Sequence, residues 1–435
     1  MPLKASYHTL GCKLNFSETA TIASLLEQKG IGKAASGEIP DLCIVNTCSV
    51  TGNADKKGRQ LIRSLASRFP EAAIVVTGCY AQLKPEEVAQ LPGVVLVVGS
   101  DEKLRISSYI DSWLENHGKI VEVTPALQIA EFLPSCERGD RTRFFLKVQD
   151  GCNYFCTYCT IPFARGRSRS GSISSLVALA EEAARKGGKE IVITGVNIGT
   201  FGKDHGENFF SLIKELDRIE GIERYRISSI EPNLLTDEIL EWIAKESRAF
   251  MPHFHIPLQS GSDKVLKLMN RRYDTYLFQS RVDKIRSLLP DAFIGVDIIA
   301  GARGETEKEW ENSYAFAKSL DISKFHAFPY SERQGTKALN LGENVPQATR
   351  YERVEIINRL SEDKNHRHLE NNLGKIRKVL WERPSGKNMM NGLTDNYIRV
   401  EAPYKPDLIN NISEVSLMEI KPGSNDTIIA RHLHD

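Results

Sequence analysis

Apolar and polar positions divide the chain into three stretches of different rhythm. Over residues 1–115, short and mostly apolar runs alternate with helical patterns. The runs Lys4–Leu10, Asp41–Asn46, Ala73–Thr77 and Val94–Val98 are bounded by Gly, Pro or polar residues, as buried parallel strands are. Apolar residues at helical spacing fill the intervals at Ser17–Lys29, Ala54–Arg68 and Pro85–Leu91. This alternation predicts a small α/β domain with a parallel sheet over residues 1–118. A polar connector follows over 116–143.

The second rhythm runs over residues 138–370. Strand candidates are Phe144–Val148, Glu190–Thr194, Arg224–Ser228, His253–Pro257, Phe293–Ile299 and Lys324–Phe328. Helices are expected at Ser175–Lys186, Phe209–Ile219, Thr236–Lys245, Thr275–Leu288 and Glu307–Leu320, and a longer one over 348–373. Six strand–helix repeats are too few for a full eightfold barrel. The third rhythm, over 371–435, is short strands at Ile376–Glu382, Tyr397–Glu401, Ser413–Ile420 and Thr427–His432, separated by Gly, Asn and Pro. It predicts a small β-barrel or sandwich. Such barrels often bind nucleic acid, but nine Lys and Arg against eight Asp and Glu from Asn371 onward argue little for RNA.

Composition narrows the class. Hydrophobic content of 41% and charged content of 26% describe an ordinary soluble protein, and no apolar run reaches the length of a membrane span. The N-terminal residues Met1–His8 lack an apolar signal core, so a cytoplasmic location without membrane association is the expectation. Eight cysteines in 435 residues do not make a disulfide scaffold; in a reducing compartment they suggest metal or redox chemistry. With a net charge of only +1, any nucleic-acid contact must come from local patches.

The cysteines carry the chemistry. Cys152, Cys156 and Cys159 stand at Cys-x3-Cys-x2-Cys spacing directly after the strand Phe144–Val148. A structural zinc site or a closed iron–sulfur cluster would want four ligands. Three thiolates on a four-iron cluster leave one iron open to a reacting molecule. The alternative is three reduced cysteines in a loop. Cys12, Cys48 and Cys79 each follow one of the first three strands, where open α/β sheets bind ligands. They are able to converge although distant in sequence; the alternative is three unrelated buried cysteines. Cys43 lies inside a strand and reads as core, and Cys136 lies in the connector and reads as having no role. Lys56, Lys57, Arg59 and Arg63 open the second helix, facing either phosphate or solvent.

The loop Gly151-Cys-Asn-Tyr-Phe-Cys-Thr-Tyr-Cys159 closely resembles that of radical S-adenosylmethionine (SAM) enzymes. Together with Gly11-Cys-Lys-Leu-Asn15, Asn46-Thr-Cys48, Gly78-Cys-Tyr-Ala-Gln82, Thr194-Gly-Val-Asn-Ile-Gly199, Ser228-Ser-Ile-Glu-Pro232 and Pro257-Leu-Gln-Ser-Gly-Ser-Asp263, it makes the whole chain resemble the radical SAM methylthiotransferases. The resemblance implies an α/β chain in three parts. These are an N-terminal parallel sheet domain with an auxiliary cluster, a central partial (β/α)6 radical SAM barrel and a C-terminal TRAM β-barrel. Gly-Cys-Lys-Leu-Asn and Phe328-Pro-Tyr-Ser331 are most similar to the MtaB-type branch, which modifies threonylcarbamoyladenosine beside the tRNA anticodon. The branches acting on isopentenyladenosine, or on an aspartate of a ribosomal protein, are the alternatives.

The resemblance implies two [4Fe-4S] clusters, held by Cys152, Cys156 and Cys159 and by Cys12, Cys48 and Cys79, and two SAM molecules. One SAM methylates a sulfur on the auxiliary cluster. The other yields a deoxyadenosyl radical that removes hydrogen from carbon 2 of adenine, to which the methylthio group transfers. The base must be splayed from its stack to reach such a site. An electron donor such as flavodoxin or ferredoxin and a sulfur source are implied partners. By position, Tyr158, Gly195, Val196, Ser229, Glu231 and Gln259 are candidates to bind SAM. Arg165, Arg167 and Arg169 are candidates for tRNA phosphate or the threonyl carboxylate. The chain departs from the family at Gly301-Ala-Arg-Gly-Glu305 and Arg333-Gln-Gly335, both on strand-end loops that shape the pocket. A two-cluster electron carrier or sensor would want four-cysteine sets. A zinc-stabilised RNA-binding protein is disfavoured by the odd ligand counts.

Overall fold

The computed structural model describes residues 2–384 and 388–433. Six parallel strands form the first sheet, β1 (Lys4–Thr9), β2 (Gly32–Lys33), β3 (Leu42–Thr47), β4 (Ala73–Gly78), β5 (Val94–Val98) and β6 (Ile120–Glu122), in the order β2-β1-β3-β4-β5-β6. The central strands β3 and β4 are buried on both faces. Cys43, Val45, Ile74 and Val76 pack with Ile62 and Leu65 of helix α2 (Gly52–Arg68). Their alternates Leu42, Ile44, Ala73 and Val75 pack with Ile22 and Leu26 of helix α1 (Lys13–Gln28). The two-residue side-chain period thus serves two helix layers at once. Cys43 is core, as its neighbours predict. The sheet runs on to Glu122, into the stretch expected to be connector.

The second unit holds β7 (Ser135–Glu137), β8 (Phe144–Asp150), β9 (Arg169–Ser170), β10 (Glu190–Gly195), β11 (Arg224–Ile227), β12 (His253–Gln259), β13 (Phe293–Ala300) and β14 (Lys324–Pro329). The parallel strands β8 and β10–β14 are the six expected of a partial barrel. They fall into two sheets, β11-β10-β8-β7 and β12-β13-β14, joined by the bridges Tyr225↔Phe250 and Ser229↔His255. The covering helices begin where a side chain offers a cap. Ser172, Asn208, Thr236, Ser262, Asp274 and Thr306 each accept a backbone N–H of the first turn. One expectation fails here: Cys136 does not lie in a loose connector. It sits in β7, pairs with Leu146 of β8 and is buried in the barrel's core.

The last unit is a closed barrel in the order β15-β16-β17-β19-β18, formed by β15 (Ile376–Pro384), β16 (Met389–Thr394), β17 (Arg399–Pro403), β18 (Ile412–Ile420) and β19 (Thr427–His432). The sequence reading missed β16, and it placed β17 two residues early. Tyr397 is left-handed (φ 68°) and belongs to the turn between them. Arg224 and Arg226, at the start of β11, bind this barrel through the carbonyls of Leu393, Lys378, Asp395 and Thr394 at 2.6–2.9 Å. The small barrel therefore covers the N-terminal end of the larger one, away from the cysteine loop.

Candidate active site

The strand β8 delivers its chain into a loop that only glycine can open. Gly151 is left-handed (φ 66°), and a Cβ there would lie 1.9 Å from the Arg167 carbonyl oxygen. The loop then presents Cys152, Cys156 and Cys159 at the barrel's C-terminal end. Hydrogen-bond donors aim at all three sulfurs. The N–H of Tyr154 reaches Cys152 Sγ and the N–H of Ile161 reaches Cys159 Sγ, both at 3.4 Å. Arg271 Nη1 is 3.2 Å from Cys156 Sγ, and Asn197 Nδ2 is 3.7 Å from Cys152 Sγ. Burial pushes all three thiols up, Cys159 to about 12. Iron would reverse that, since a coordinating thiol is deprotonated outright. The donors around the sulfurs suit thiolates, so the loop fits a cluster.

The expected SAM contacts stand at the strand ends around this loop. Val196 donates its N–H to the Gln149 carbonyl at 3.2 Å, and Gln149 Nε2 returns a bond to Val196 O at 2.9 Å, which fixes Gly195 and Val196 against β8. Ser229 bridges to His255. Gln259 is left-handed (φ 67°) beside a register shift that ends β12. Glu231 is ion-paired with Arg271, the residue that also touches Cys156. Tyr158 packs in the small cluster of Val265, Met269, Ala302, Tyr330 and Ala338. Ala302, one of the unusual residues of the Gly301–Glu305 loop, thus adjoins the ring expected near SAM. Arg271 and Asn197 were missed. Neither lies in a cysteine motif, and only the fold brings them to the sulfurs.

Cys12, Cys48 and Cys79 come together at the C-terminal ends of β1, β3 and β4. Cys12 precedes α1, and Cys79 opens the short helix Cys79–Leu83. Gly11 is left-handed (φ 102°), and a Cβ on it would stand 2.6 Å from Cys48 Cβ. Burial raises the Cys48 thiol to about 11, with Cys79 adding to the shift. Cys79 is raised by burial too, with Arg165 opposing. All eight cysteines are free thiols. Among the described residues, no three His, Cys, Asp or Glu side chains close on a single-ion site. A four-iron cluster makes a different demand, because each thiolate binds its own iron.

Two of the three arginines proposed for substrate do other work. Arg165 is 1% exposed and bonds Glu18, Asp150 and Asn15 at 2.7–3.2 Å. Arg169 is buried, donating to the Glu131, Arg165 and Arg167 carbonyls. Buried and held this way, neither guanidinium reaches the surface where phosphate would lie, so Arg165 and Arg169 are corrected to internal clamps. Only Arg167 faces solvent. Burial alone would raise the Glu18 and Asp150 carboxyls. Arg165 and Lys147 outweigh it for both, with Lys103 also lowering Glu18 and Arg169 lowering Asp150, so both stay below the usual range. In α2, Arg59 pairs with Glu87 at 3.0 Å, while Lys56, Lys57 and Arg63 are exposed. Arg333, in the other unusual loop, reaches Asp55 at 2.9 Å and Ser49 at 2.7 Å, tying β14's loop to the N-terminal domain.

Similarity to known proteins follows the same division. Residues 146–317 match the Radical SAM superfamily, and residues 4–99 match an uncharacterized protein family, UPF0004. The threonylcarbamoyladenosine tRNA methylthiotransferase MtaB of Bacillus subtilis strain 168 is 37% identical, across 99% of this chain and 97% of its own. That of Aquifex aeolicus strain VF5 is 38% identical, across 92% and 96%. A tRNA-2-methylthio-N(6)-dimethylallyladenosine synthase of Clostridium botulinum strain Langeland is 34% identical, across 88% and 87%. Among solved structures, the radical S-adenosylmethionine methyltransferase TsrM from Kitasatospora setae has a similar fold. Its TM-score is 0.55 at 15% identity, with 76% of this chain and 75% of that one covered. Membership of the radical SAM superfamily implies a [4Fe-4S] cluster and SAM. In sequence over nearly its whole length, the chain belongs to the radical SAM methylthiotransferase family.

Proposed function

We propose that this protein transfers a methylthio group to carbon 2 of N6-threonylcarbamoyladenosine next to the anticodon of tRNA. The observation that carries this reading is the near end-to-end similarity to the MtaB enzymes, accompanied by two sets of three cysteines on facing strand ends. Cys152, Cys156 and Cys159 hold the cluster used with SAM, and Cys12, Cys48 and Cys79 hold an auxiliary one. Bound there, these groups supply a carbon radical able to break an unactivated aromatic C–H bond and a sulfur to replace the hydrogen.

The chain's own residues bind and orient. Arg271 holds Cys156 and Glu231 in one line, so that loop and strand end move together. Gly195, Val196, Ser229 and Gln259 line the strand ends where SAM would lie, with Tyr158 beneath. Arg165 and Arg333 lock the N-terminal domain to the barrel and so fix the spacing of the two cysteine sets. Residues 1–118, 138–370 and 371–435 carry the auxiliary site, the radical site and the TRAM β-barrel. A flavodoxin- or ferredoxin-like donor supplies electrons, a separate source replenishes sulfur, and the work is done in the cytoplasm, where tRNA is used. Among the described residues, no helix is long and apolar enough to cross a membrane.

The test uses reconstituted protein with SAM, reductant, sulfide and an anticodon stem-loop bearing threonylcarbamoyladenosine. The expected product is the methylthio nucleoside. Cys156→Ala should abolish both this product and 5'-deoxyadenosine, whereas Cys79→Ala should abolish the methylthio product while SAM cleavage persists. Methylthio product from Cys79→Ala would refute the auxiliary site.

A further inference from the structure

The substrate proposed above differs from plain adenosine by one charged group, the threonyl carboxylate. A carboxylate drawn into a closing site needs cationic, hydrogen-bonding partners. Arg165 and Arg169 are engaged elsewhere, and Arg167 faces solvent.

Lys13 is a cation that faces inward. It follows Cys12 directly and is the first residue of α1, which packs along β7, β8 and β10 of the larger barrel. The side chain is half-buried and, among the described residues, makes no hydrogen bond or ion pair. Its charge is felt at Tyr397, Arg143, Arg226 and Glu190, and at His253 and His326. Phe16 and Ser17, three and four residues on and so on the same helix face, lie against Phe145 of β8, the rings 5.3 Å apart and the Ser17 hydroxyl donating to the Phe145 carbonyl at 3.2 Å, which turns Lys13 toward the barrel, where the residues its charge reaches stand near the strand starts.

At that end of the bore four cations, Lys13, Arg143, Arg224 and Arg226, gather about Glu190. Glu190 is shared by Arg226 at 2.8 Å, Arg224 at 3.7 Å and Arg143 at 3.9 Å. Arg224 and Arg226 also hold the small barrel's carbonyls, whereas Arg143 hydrogen-bonds the Tyr397 side chain and forms long ion pairs to Glu190 and, at 3.7 Å, to Glu382. Tyr397 feels these cations: burial would raise its phenol, yet the charges of Lys13, Arg143 and Arg226, with a hydrogen bond from Arg143, pull it below its ordinary value.

We propose that Lys13, assisted by Arg143, receives the carboxylate of the threonylcarbamoyl group and thereby determines which modified adenosine is accepted. This rests on the function proposed above. The receptor stands next to an auxiliary-site cysteine, so binding the side chain would draw the adenine ring between the two cysteine sets.

The test measures binding of the reconstituted full-length protein, without SAM or reductant, to three fluorescent anticodon stem-loops. One carries threonylcarbamoyladenosine, one the same nucleoside with its carboxylate converted to a carboxamide, and one unmodified adenosine. Wild type should prefer the carboxylate over the carboxamide by about tenfold, the scale of one charge-assisted hydrogen bond. In Lys13→Gln that preference should shrink to about twofold or less, and Lys13→Arg should restore most of it. Arg143→Gln, a second variant outside the cysteine motifs, should weaken the preference too. A preference undiminished in Lys13→Gln, or an equal loss of affinity for all three stem-loops, overturns the assignment; the latter would place Lys13 on RNA phosphate. If wild type neither prefers nor methylthiolates the threonylcarbamoyl stem-loop, the substrate reading itself fails, and the role of Lys13 with it.

Discussion

At Arg165, two neighbouring carboxylates decide what a run of basic residues does. The guanidinium spans Glu18 of α1 and Asp150 of β8, with Lys103, Lys147 and Arg169 completing the group. Removing one partner of a buried charge network strands the others, which typically costs about 3–5 kcal/mol. Arg165→Met should therefore lower stability by about 3 kcal/mol, the low end, because three cations remain. Urea midpoints of wild type and variant measure this; a shift under about 0.5 kcal/mol would mark an ordinary surface arginine. None of it was legible in Arg165-Gly-Arg-Ser-Arg169, since such a run reads alike whether it faces solvent or turns inward. The Cys152 set was legible because its three cysteines lie within one loop. Cys12, Cys48 and Cys79 needed the strand pattern as well, and Arg271 needed the fold.

At the scale of elements, apolar rhythm located the long strands and capped helices but not the interrupted ones. β16, Met-Met-Asn-Gly-Leu-Thr, carries Asn391 and Gly392 in its middle and shows no clean alternation. β7 is three residues long, too short for a period, so Cys136 was assigned to a connector. The helix Gln347–Glu370 was expected, and its last turn makes a pH dependence testable. His368 packs under Ser323 and Phe293, and its pKa falls from 6.5 to about 4, through burial first and then Arg286 and Arg377. Its folded pKa is depressed, so the unfolded chain takes up the proton first. The contribution is full above about pH 6.5 and is lost as pH falls toward 4, by up to about 3 kcal/mol. Urea midpoints near pH 7 and pH 5 should therefore diverge more in wild type than in His368→Gln. Equal slopes would place His368 in contact with water.

Across the whole molecule, three units meet at the two ends of one barrel. The N-terminal domain brings its cysteines toward the C-terminal strand ends, held by Arg165 and Arg333, while the small β-barrel closes the opposite end through Arg224 and Arg226. Parallel α/β topology carries this arrangement, because it gathers residues distant in sequence at strand ends. The most direct test of the function is nucleoside mass spectrometry on tRNA from cells with and without this gene, scanned for the methylthio increment. The expected result is loss of methylthio-threonylcarbamoyladenosine, with its unthiolated precursor accumulating. Loss of the isopentenyl counterpart instead, or no change in any nucleoside, would contradict it.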